Sequence, residues 1–156
     1  MTGFELTDQD RRILALLQRD GRISNQDLAE RTAMSTSACW RRVKALEEAG
    51  IIARYVALVD ARRAGMAFHA IVLVKLSRHS RDHVVNFIAE VQRREEVLDC
   101  FATTGESDYH LRVLCPDLDA YNDFLDNFLF GLPGVANVHT NMVLKQIKHE
   151  TAVSFG

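Results

Sequence analysis

The sequence predicts an α+β protein made of two domains. The N-terminal domain is expected to be a three-helix, winged or plain helix-turn-helix unit, and the C-terminal domain a ferredoxin-like βαββαβ unit. Three observations lead to this prediction: the 156 residues suffice for two small domains, the first fifty have helical period, and later segments alternate between strand and helix patterns. We place the helix-turn-helix domain at 1–52, a linker strand and hinge at 53–65, and the ferredoxin-like domain at 66–156.

The first two helices are indicated by their capping residues. Thr7 and Asp10 stand at capping-box spacing before a helix expected over about residues 8–18, although Asp is an unusual third-position partner. The segment "DGRIS" ends that helix, and Ser24 then caps a short second helix over Asn25–Arg31. Because only "TAM" separates this helix from the next cap, a tight turn is predicted there.

The third helix has a clear start, end and inner face. Ser35 is its predicted N-cap, and Gly50 is its left-handed C-terminal stop. Cys39, Val43 and Leu46 fall at i, i+4 and i+7, which places them on one stripe facing the first two helices. Three helices, the last two joined by a tight turn, predict a helix-turn-helix.

The outer arc of the third helix is polar and basic. Residues 31–44 contain four cations and no acid, although the whole chain carries 19 Lys and Arg against 21 Asp and Glu. Short hydroxyl side chains come first, where the helix dipole favours phosphate, and cations follow one turn later. This arrangement predicts binding in a DNA groove; the alternative is a solvated amphipathic helix with its tryptophan packed on a neighbour. The residues expected at DNA are Asn25, Ser35, Thr36, Ser37, Trp40, Arg41, Lys44 and, with a flanking loop as its alternative partner, Arg42.

The C-terminal half carries the signals of a ferredoxin-like unit. After the turn-rich "DARRAG", the predicted order is strand, helix, strand, strand, helix, strand, in the segments "AFHAIVLVKLS", "RDHVVNFIAEVQRR", "VLDCFATT", "YHLRVL", "DLDAYNDFLDNFLF" and "VANVHTNMVLKQIK". Asp117 is expected to cap the second of these helices. A small sheet of this kind leaves one face without helices, so Ile71 and Leu73 predict that a second subunit covers it.

Composition excludes several classes of protein. An apolar fraction of 47% and a charged fraction of 26% are those of a globular protein, no apolar run is long enough to span a bilayer, and the N-terminus has no secretory pattern. We therefore expect a cytoplasmic location. The three cysteines, Cys39, Cys100 and Cys115, lack disulfide or zinc-knuckle spacing and are expected to be small buried residues.

Neither a metal site nor a catalytic site is predicted. His79 and His83 are four residues apart, but His79 precedes the expected helix, and no third ligand lies at local spacing. The sequence has no nucleophile elbow, Gly-rich phosphate loop or Cys–His pairing pattern. We interpret the chain as a non-enzyme without a metal or cofactor.

The ordered combination of motifs resembles a known family. The segment "LTDQDRRILALLQRDGRISNQDLAERTAMSTSACWRRVKALEEAGII", followed by "TTGESDYHLRV" and "LPGV", is similar to the leucine-responsive/AsnC, or feast-famine, transcription regulators. The resemblance covers nearly the whole chain. It implies a DNA-binding N-terminal domain, a C-terminal effector-binding and assembly domain often called RAM, dimers that associate into higher rings, commonly octamers, and an amino acid as effector. Trp40 and "VLKQIKHETAVSF" are similar to a subgroup rather than to the leucine-responsive founder.

The segment "TTGESDYHL" is the second candidate site. By composition alone it is typical of a polar hairpin tip, with Gly105 permitting the turn. The resemblance implies instead that it lines the effector pocket, where a carboxylate, expected to be that of Asp108, accepts from the ammonium of a free amino acid. Tyr109 is either a wall of this pocket or part of the core. The effector-binding residues expected are Thr104, Gly105, Glu106, Ser107, Asp108, Tyr109 and, from the same or a neighbouring subunit, Thr140.

The expected function is that of a sequence-specific DNA-binding transcriptional regulator modulated by a small effector. A dimer would present two third helices to a roughly palindromic operator. Two alternatives stay open: an architectural DNA-wrapping protein without an effector, and a small ferredoxin-like enzyme. The first predicts binding that depends on salt but not on DNA sequence, and the second predicts turnover of a small substrate.

Overall fold

A computed structural model describes residues 4–77 and 81–155 of the chain. The chain forms two compact units; one contains the residues up to Leu58 together with the segment 148–155, and the other contains the chain between them. The C-terminal segment therefore belongs to the N-terminal unit, whereas the sequence placed all of 66–156 in the second domain. The reason is a set of hydrogen bonds between this segment and the first helix, which no local pattern indicates.

The N-terminal unit contains three α-helices: α1, Asp8–Arg19; α2, Asn25–Arg31; and α3, Thr36–Glu48. Each predicted N-cap forms, including the reciprocal capping box of Thr7 and Asp10 at the start of α1. The predicted inner stripe of α3 is buried at Cys39 and Leu46 and half-buried at Val43. The inner faces pack into one core of buried residues, Ile13, Leu14, Leu28, Ala29, Cys39 and Leu46.

Two residues with positive φ shape the turns on either side of α3. Ala33, between α2 and α3, has φ +54°, and the next residue, Met34, donates its N–H to the carbonyl of Ala29 at 2.9 Å. Gly50, after α3, has φ +70°, the left-handed conformation predicted for the helix stop. These turns set where α3 begins and ends, and therefore which of its side chains face outward.

The predicted linker strand does not pair within the chain. Residues 53–60 form no strand, and Val56, Leu58 and Val59 are all at least 64% exposed. An extended segment is counted as a strand only when a neighbour supplies its hydrogen bonds, and the same chain supplies none here. Within residues 4–58 the structure forms helices and no strand, so no wing accompanies them.

The C-terminal unit is a four-stranded antiparallel sheet with two helices. Its elements are β1, Phe68–Leu76; α4, Arg81–Val91; β2, Val97–Ala102; β3, Tyr109–Cys115; α5, Leu118–Asn127, followed by a 3-10 turn at Leu129–Gly131; and β4, Val135–Met142. The strand order β2-β3-β1-β4 confirms the predicted ferredoxin-like fold. Asp117 caps α5 as expected, accepting the N–H of Ala120 at 2.8 Å.

The sheet has a helix-covered face and an open face. Along β1 the fully buried Val72 and Val74 pack in one core with Phe87 of α4 and Phe124 of α5. Ile71 and Leu73 alternate with them and are only half-buried, so they point to the open face. The predicted open face is thus present in the single chain.

The burial of the cysteines and the length of the helices bear on two further expectations. Cys39 and Cys115 are buried as predicted, but Cys100 is exposed on the edge strand β2, and the prediction was wrong for this residue. In residues 4–77 and 81–155, no helix combines the length and the apolar character needed to cross a membrane.

Candidate nucleic-acid interface and effector loop

The outer face of α3 carries three exposed side chains within two turns. Trp40 is 54% exposed, and Arg41 and Lys44 are exposed beside it. The Nζ atom of Lys44 lies 5.1 Å from the centroid of the Trp40 ring, a cation–π contact that holds the ammonium over the indole. Lys44 Nζ also lies 4.0 Å from Oε1 of Glu48, an exposed pair of little energetic weight. This face, defined by Trp40, Arg41 and Lys44, presents one aromatic ring and two cations to solvent.

Hydroxyl groups surround the N-terminus of α3. The Oγ of Ser35 accepts the N–H of Ala38 at 3.3 Å and lies 3.4 Å from the Oγ of Ser37. Thr36 and Ser37 are exposed. Asn25, at the start of α2, is half-buried, and its Nδ2 donates to the carbonyl of Thr36 at 3.1 Å. Asn25 therefore holds α2 against the first turn of α3, while the hydroxyl groups stay accessible.

Arg42 points inward, away from the exposed face. Its Nε donates to Oδ1 of Asp10 at 2.8 Å and its Nη2 donates to Oδ2, so a guanidinium on α3 holds a carboxylate on α1 through two bonds. Asp10 is fully buried. Burial raises the pKa of this carboxyl, but the hydrogen bonds from Arg42 and Thr7 outweigh burial and hold the pKa below its ordinary value. The structure thus replaces the phosphate or loop expected for Arg42 with an internal ion pair.

Tyr55 is a residue that the sequence placed only in the linker, yet it lies beside α3. Its hydroxyl donates to Oε1 of Glu47 at 2.9 Å. Burial, followed by this hydrogen bond and the charge of Glu47, raises the pKa of Tyr55 to about 12. Tyr55 also lines a cavity of about 440 Å³ together with Trp40 and Lys44. The start of the linker is therefore anchored to the helix that carries the basic face.

The loop between β2 and β3 is tied to the end of β1. Asp108 accepts the N–H of Leu76 through Oδ2 at 2.7 Å, and its own N–H donates to the carbonyl of Val74 at 2.9 Å. Thr103 closes the loop, because its N–H donates to the carbonyl of Asp108 at 2.9 Å and its Oγ1 to that of Ser107 at 3.0 Å. One carboxylate oxygen of Asp108 is thus engaged in holding the loop.

The tip of this loop is exposed to solvent. Gly105 has φ +126°, and nothing lies within 4 Å of the position that a Cβ would take. Thr104 and Glu106 are exposed on either side, and Ser107 is half-buried. Glu106 and Asp108 are both exposed, so each offers a carboxylate to solvent, although one oxygen of Asp108 is bound to the N–H of Leu76.

Tyr109 packs against the core, one of the two roles that the sequence left open. Its half-buried ring packs on Phe87 of α4, with 4.8 Å between the ring centroids. Burial, with the nearby Cys100 and Asp108, raises the pKa of its phenol. The same side chain lines a mainly apolar cavity of about 400 Å³ between α4 and β2. It is therefore part of the core, and this cavity contains none of the residues 104–108 of the loop.

Thr140 lies elsewhere on the sheet. Its Oγ1 is 2.5 Å from the hydroxyl of Tyr121 on α5, and its position in β4 pairs with Val72. Val72 precedes Leu76, where Asp108 binds, by four residues of β1, which is about 13 Å in an extended strand. Within one chain the structure does not bring Thr140 to the loop.

The histidine pair gives no metal centre in the described part of the chain. His83 is half-buried in the first turn of α4, and His79 lies outside the described residues. Across residues 4–77 and 81–155, no group of three or more His, Cys, Asp or Glu side chains is placed to hold a metal ion.

The arrangement defines a class of protein: a helix-turn-helix unit with an exposed basic face, joined to a ferredoxin-like unit with an open polar loop. Residues 6–53 match the model of the winged helix-turn-helix DNA-binding family, and residues 69–153 match that of the Lrp/AsnC ligand binding domain. The chain belongs to the Lrp/AsnC family of DNA-binding transcriptional regulators.

Known proteins resemble the chain over nearly its full length. It is 38% identical over 144 residues to the DNA-binding transcriptional activator DecR of Escherichia coli K12, covering 92% of this chain and 95% of that protein. It is 33% identical to the transcriptional regulator AzlB of Bacillus subtilis, covering 97% and 96% of the two chains. The crystal structure of a Neisseria meningitidis transcriptional regulator in complex with L-Met has a TM-score of 0.91 and 39% identity, covering 96% of each chain. The resemblance predicted from the motifs is confirmed.

Proposed function

We propose that this protein is a regulator that reads a specific operator with α3 and changes its DNA affinity or its assembly when a free amino acid binds. The observation that carries the proposal is the exposed face of Trp40, Arg41 and Lys44 on a helix-turn-helix unit. Hydroxyl groups of Ser35, Thr36 and Ser37 at the helix start add donors for phosphates and base edges. Such a role requires binding and no catalytic step.

The effector is proposed to bind at the loop of residues 104–108. A zwitterionic ligand needs an acceptor for its ammonium, because a buried ammonium without one costs several kcal/mol. Asp108, expected from the sequence to be this acceptor, and Glu106 both supply exposed carboxylates, while Thr104, Ser107 and the Gly105 backbone are neighbouring groups for the ligand's carboxylate. The L-Met complex of the Neisseria meningitidis relative supports an amino acid as the class of effector.

Assembly of several subunits would complete both the DNA-binding surface and the effector site. The open sheet face of Ile71 and Leu73 is proposed to pack on a second copy of the chain, giving a dimer that presents two α3 faces to a palindromic operator. Higher rings, up to an octamer, would bring Thr140 of a neighbouring subunit to the loop.

Two measurements test the proposed function. A thermal-shift screen of the twenty amino acids should find at least one that raises the melting temperature, because a ligand that binds only the folded state stabilises it. DNA selected from a random pool should then bind far better than a scrambled competitor, and the amino acid should change that affinity. Equal binding of both DNAs would favour the architectural alternative, and consumption of the amino acid would favour the enzyme.

A further inference from the structure

The C-terminal segment 148–155 runs along α1 and is held by its side chains. Nε2 of Gln18 donates to the carbonyl of Val153 at 3.1 Å, and the N–H of Val153 donates back to Oε1 of Gln18 at 2.6 Å. Nη1 of Arg11 donates to the carbonyl of Phe155 at 3.2 Å. One glutamine thus satisfies both main-chain groups of a residue 135 positions away, as a neighbouring strand would.

Apolar packing and a local turn add to these hydrogen bonds. The half-buried ring of Phe155 packs against the core of the N-terminal unit. Before it, Oε1 of Glu150 accepts the N–H groups of Thr151 and Ala152 at 3.1 and 3.0 Å, which turns the chain towards α1. The segment is therefore docked by backbone recognition and by an aromatic anchor together.

The docked segment is connected to α3 through α1. Arg11 directly follows Asp10 in α1, and the carboxylate of Asp10 is the buried partner of Arg42 on α3. Arg42 is itself next to Arg41 of the exposed basic face. A shift of α1 thus acts on α3 through this ion pair as well as through their shared apolar core, because Asp10 is too deeply buried to exchange its cation for water.

The other end of the segment is joined to the sheet by a short connection. β4 ends at Met142, and the N–H of Val143 donates to the carbonyl of His69 at 2.8 Å, which fixes the end of β4 to β1. The six residue steps from Met142 to Lys148 reach at most about 20 Å. Only residues 143–147 separate the end of β4 from the start of the segment along the chain.

We propose that segment 148–155 is the coupling element of the regulator: it docks on α1 in one effector state, releases α1 in the other, and so changes the DNA affinity of α3. This inference rests on the proposed amino-acid regulation. A coupling between distant sites requires an element with two states, and the segment would be that element. Its contacts to Gln18, Arg11 and the core would be present in the docked state and absent in the released state.

The test compares Gln18→Ala with Gln9→Ala, a matched change at an exposed glutamine of the same helix. A third variant ends after Ile147 and so lacks the whole segment. DNA affinity is measured with and without the amino acid found by the screen, and the affinity for that amino acid is measured by calorimetry. In the wild type and Gln9→Ala, the amino acid should change DNA affinity by the same factor. In Gln18→Ala and the truncated chain that factor should fall to nearly one, while amino-acid affinity stays within twofold.

A full effector response in both Gln18→Ala and the truncated chain overturns the proposal. If no amino acid changes DNA binding by the wild type, the proposed function itself fails, and hydrogen exchange then decides the inference separately. Faster amide exchange in α1 of Gln18→Ala, with none in Gln9→Ala, supports a docked segment that controls α1. Equal exchange in the two variants overturns it.

Discussion

Arg42 on α3 and Asp10 on α1 form an ion pair inside the N-terminal unit, with the Nε atom 2.8 Å from Oδ1 and a second bond from Nη2 to Oδ2. The pair divides the cations of α3 into two kinds. Arg42 faces inward and belongs to the fold, whereas its neighbour Arg41 is exposed with Lys44 on the basic face. Substitutions one residue apart are therefore expected to have different effects.

The first prediction concerns stability. Arg42→Ala leaves the carboxylate of Asp10 buried without its cation, so we expect the free energy of unfolding to fall by about 1.5–3 kcal/mol. Arg41→Ala removes an exposed side chain and should change it by less than about 0.5 kcal/mol. Urea denaturation of the two variants and the wild type measures the difference. Equal losses in the two variants would mean that the ion pair does not stabilise the fold.

The second prediction concerns acid. The pKa of Asp10 is lower in the folded chain than its ordinary value of 3.8, so its ion pair stabilises the fold fully above that pH. The stability that the ion pair contributes is lost as the pH falls from 3.8 through the lowered pKa of Asp10. We therefore expect Asp10→Asn to be less stable than the wild type at pH 7 and the gap in melting temperature to narrow below about pH 4. A gap that stays constant down to pH 3 would contradict this.

The third prediction concerns assembly. Leu73 lies in the middle of the open sheet face, where a second copy is proposed to pack. Leu73→Asp would bury an unpaired carboxylate in that interface, so light scattering of the full chain should show a smaller particle than for the wild type. Leu73→Met, which conserves volume, should assemble as the wild type does. A monomeric wild type would refute the proposed interface.

The fourth prediction separates the two acids of the loop at residues 104–108, where the effector is proposed to bind. Glu106 is exposed at the tip, so Glu106→Gln should weaken amino-acid binding at least tenfold without changing the melting temperature of the free protein. Asp108→Ala removes the bond to Leu76 and should weaken binding and also lower stability by about 1 kcal/mol. Calorimetry and thermal unfolding measure the two effects. Unchanged binding by Glu106→Gln would show that its carboxylate does not accept from the ammonium.

Local features of this fold were predictable from the sequence because short-range rules govern them. The caps at Thr7, Ser24 and Ser35 satisfy N–H groups within three residues, and Gly50 takes the φ that a helix stop needs. Helical period likewise places Leu46 in the core. The exposed positions of Trp40 and the other residues of the basic face follow as the opposite side of the same stripe.

The partners of charged and terminal residues were not predictable in the same way. Asp10 and Arg42 are 32 residues apart, and only tertiary packing brings them together. One signal was available: Asp10, Ile13 and Leu14 share a helix stripe at i, i+3 and i+4, and an acid on an apolar stripe needs a cation. The docking of residues 148–155 has no such signal, because Gln18 recognises backbone rather than side chains.

The end of the last strand and the position of Thr140 could not be predicted, because both depend on how β4 pairs with β1. The last strand was predicted to continue to residue 148, but it ends at Met142, opposite Ala70, close to where β1 itself begins. One more bond follows, from the N–H of Val143 to the carbonyl of His69 at 2.8 Å, and the pairing then stops because β1 begins at Phe68. Thr140 was placed on the correct strand, but the register of β4 puts it beside Tyr121 rather than at the loop of residues 104–108.

The central claim is that the exposed face of α3 reads DNA sequence. Fluorescence anisotropy titration of the selected operator and of a scrambled duplex, with wild type, Arg41→Ala and the control Gln9→Ala, tests it most directly. We predict that wild type and Gln9→Ala prefer the operator, and that Arg41→Ala loses about 1–3 kcal/mol of operator binding, roughly tenfold or more, while its stability is unchanged. The claim would be contradicted if the wild type bound the operator and the scrambled duplex equally well. It would also be contradicted if Arg41→Ala bound the operator as tightly as the wild type.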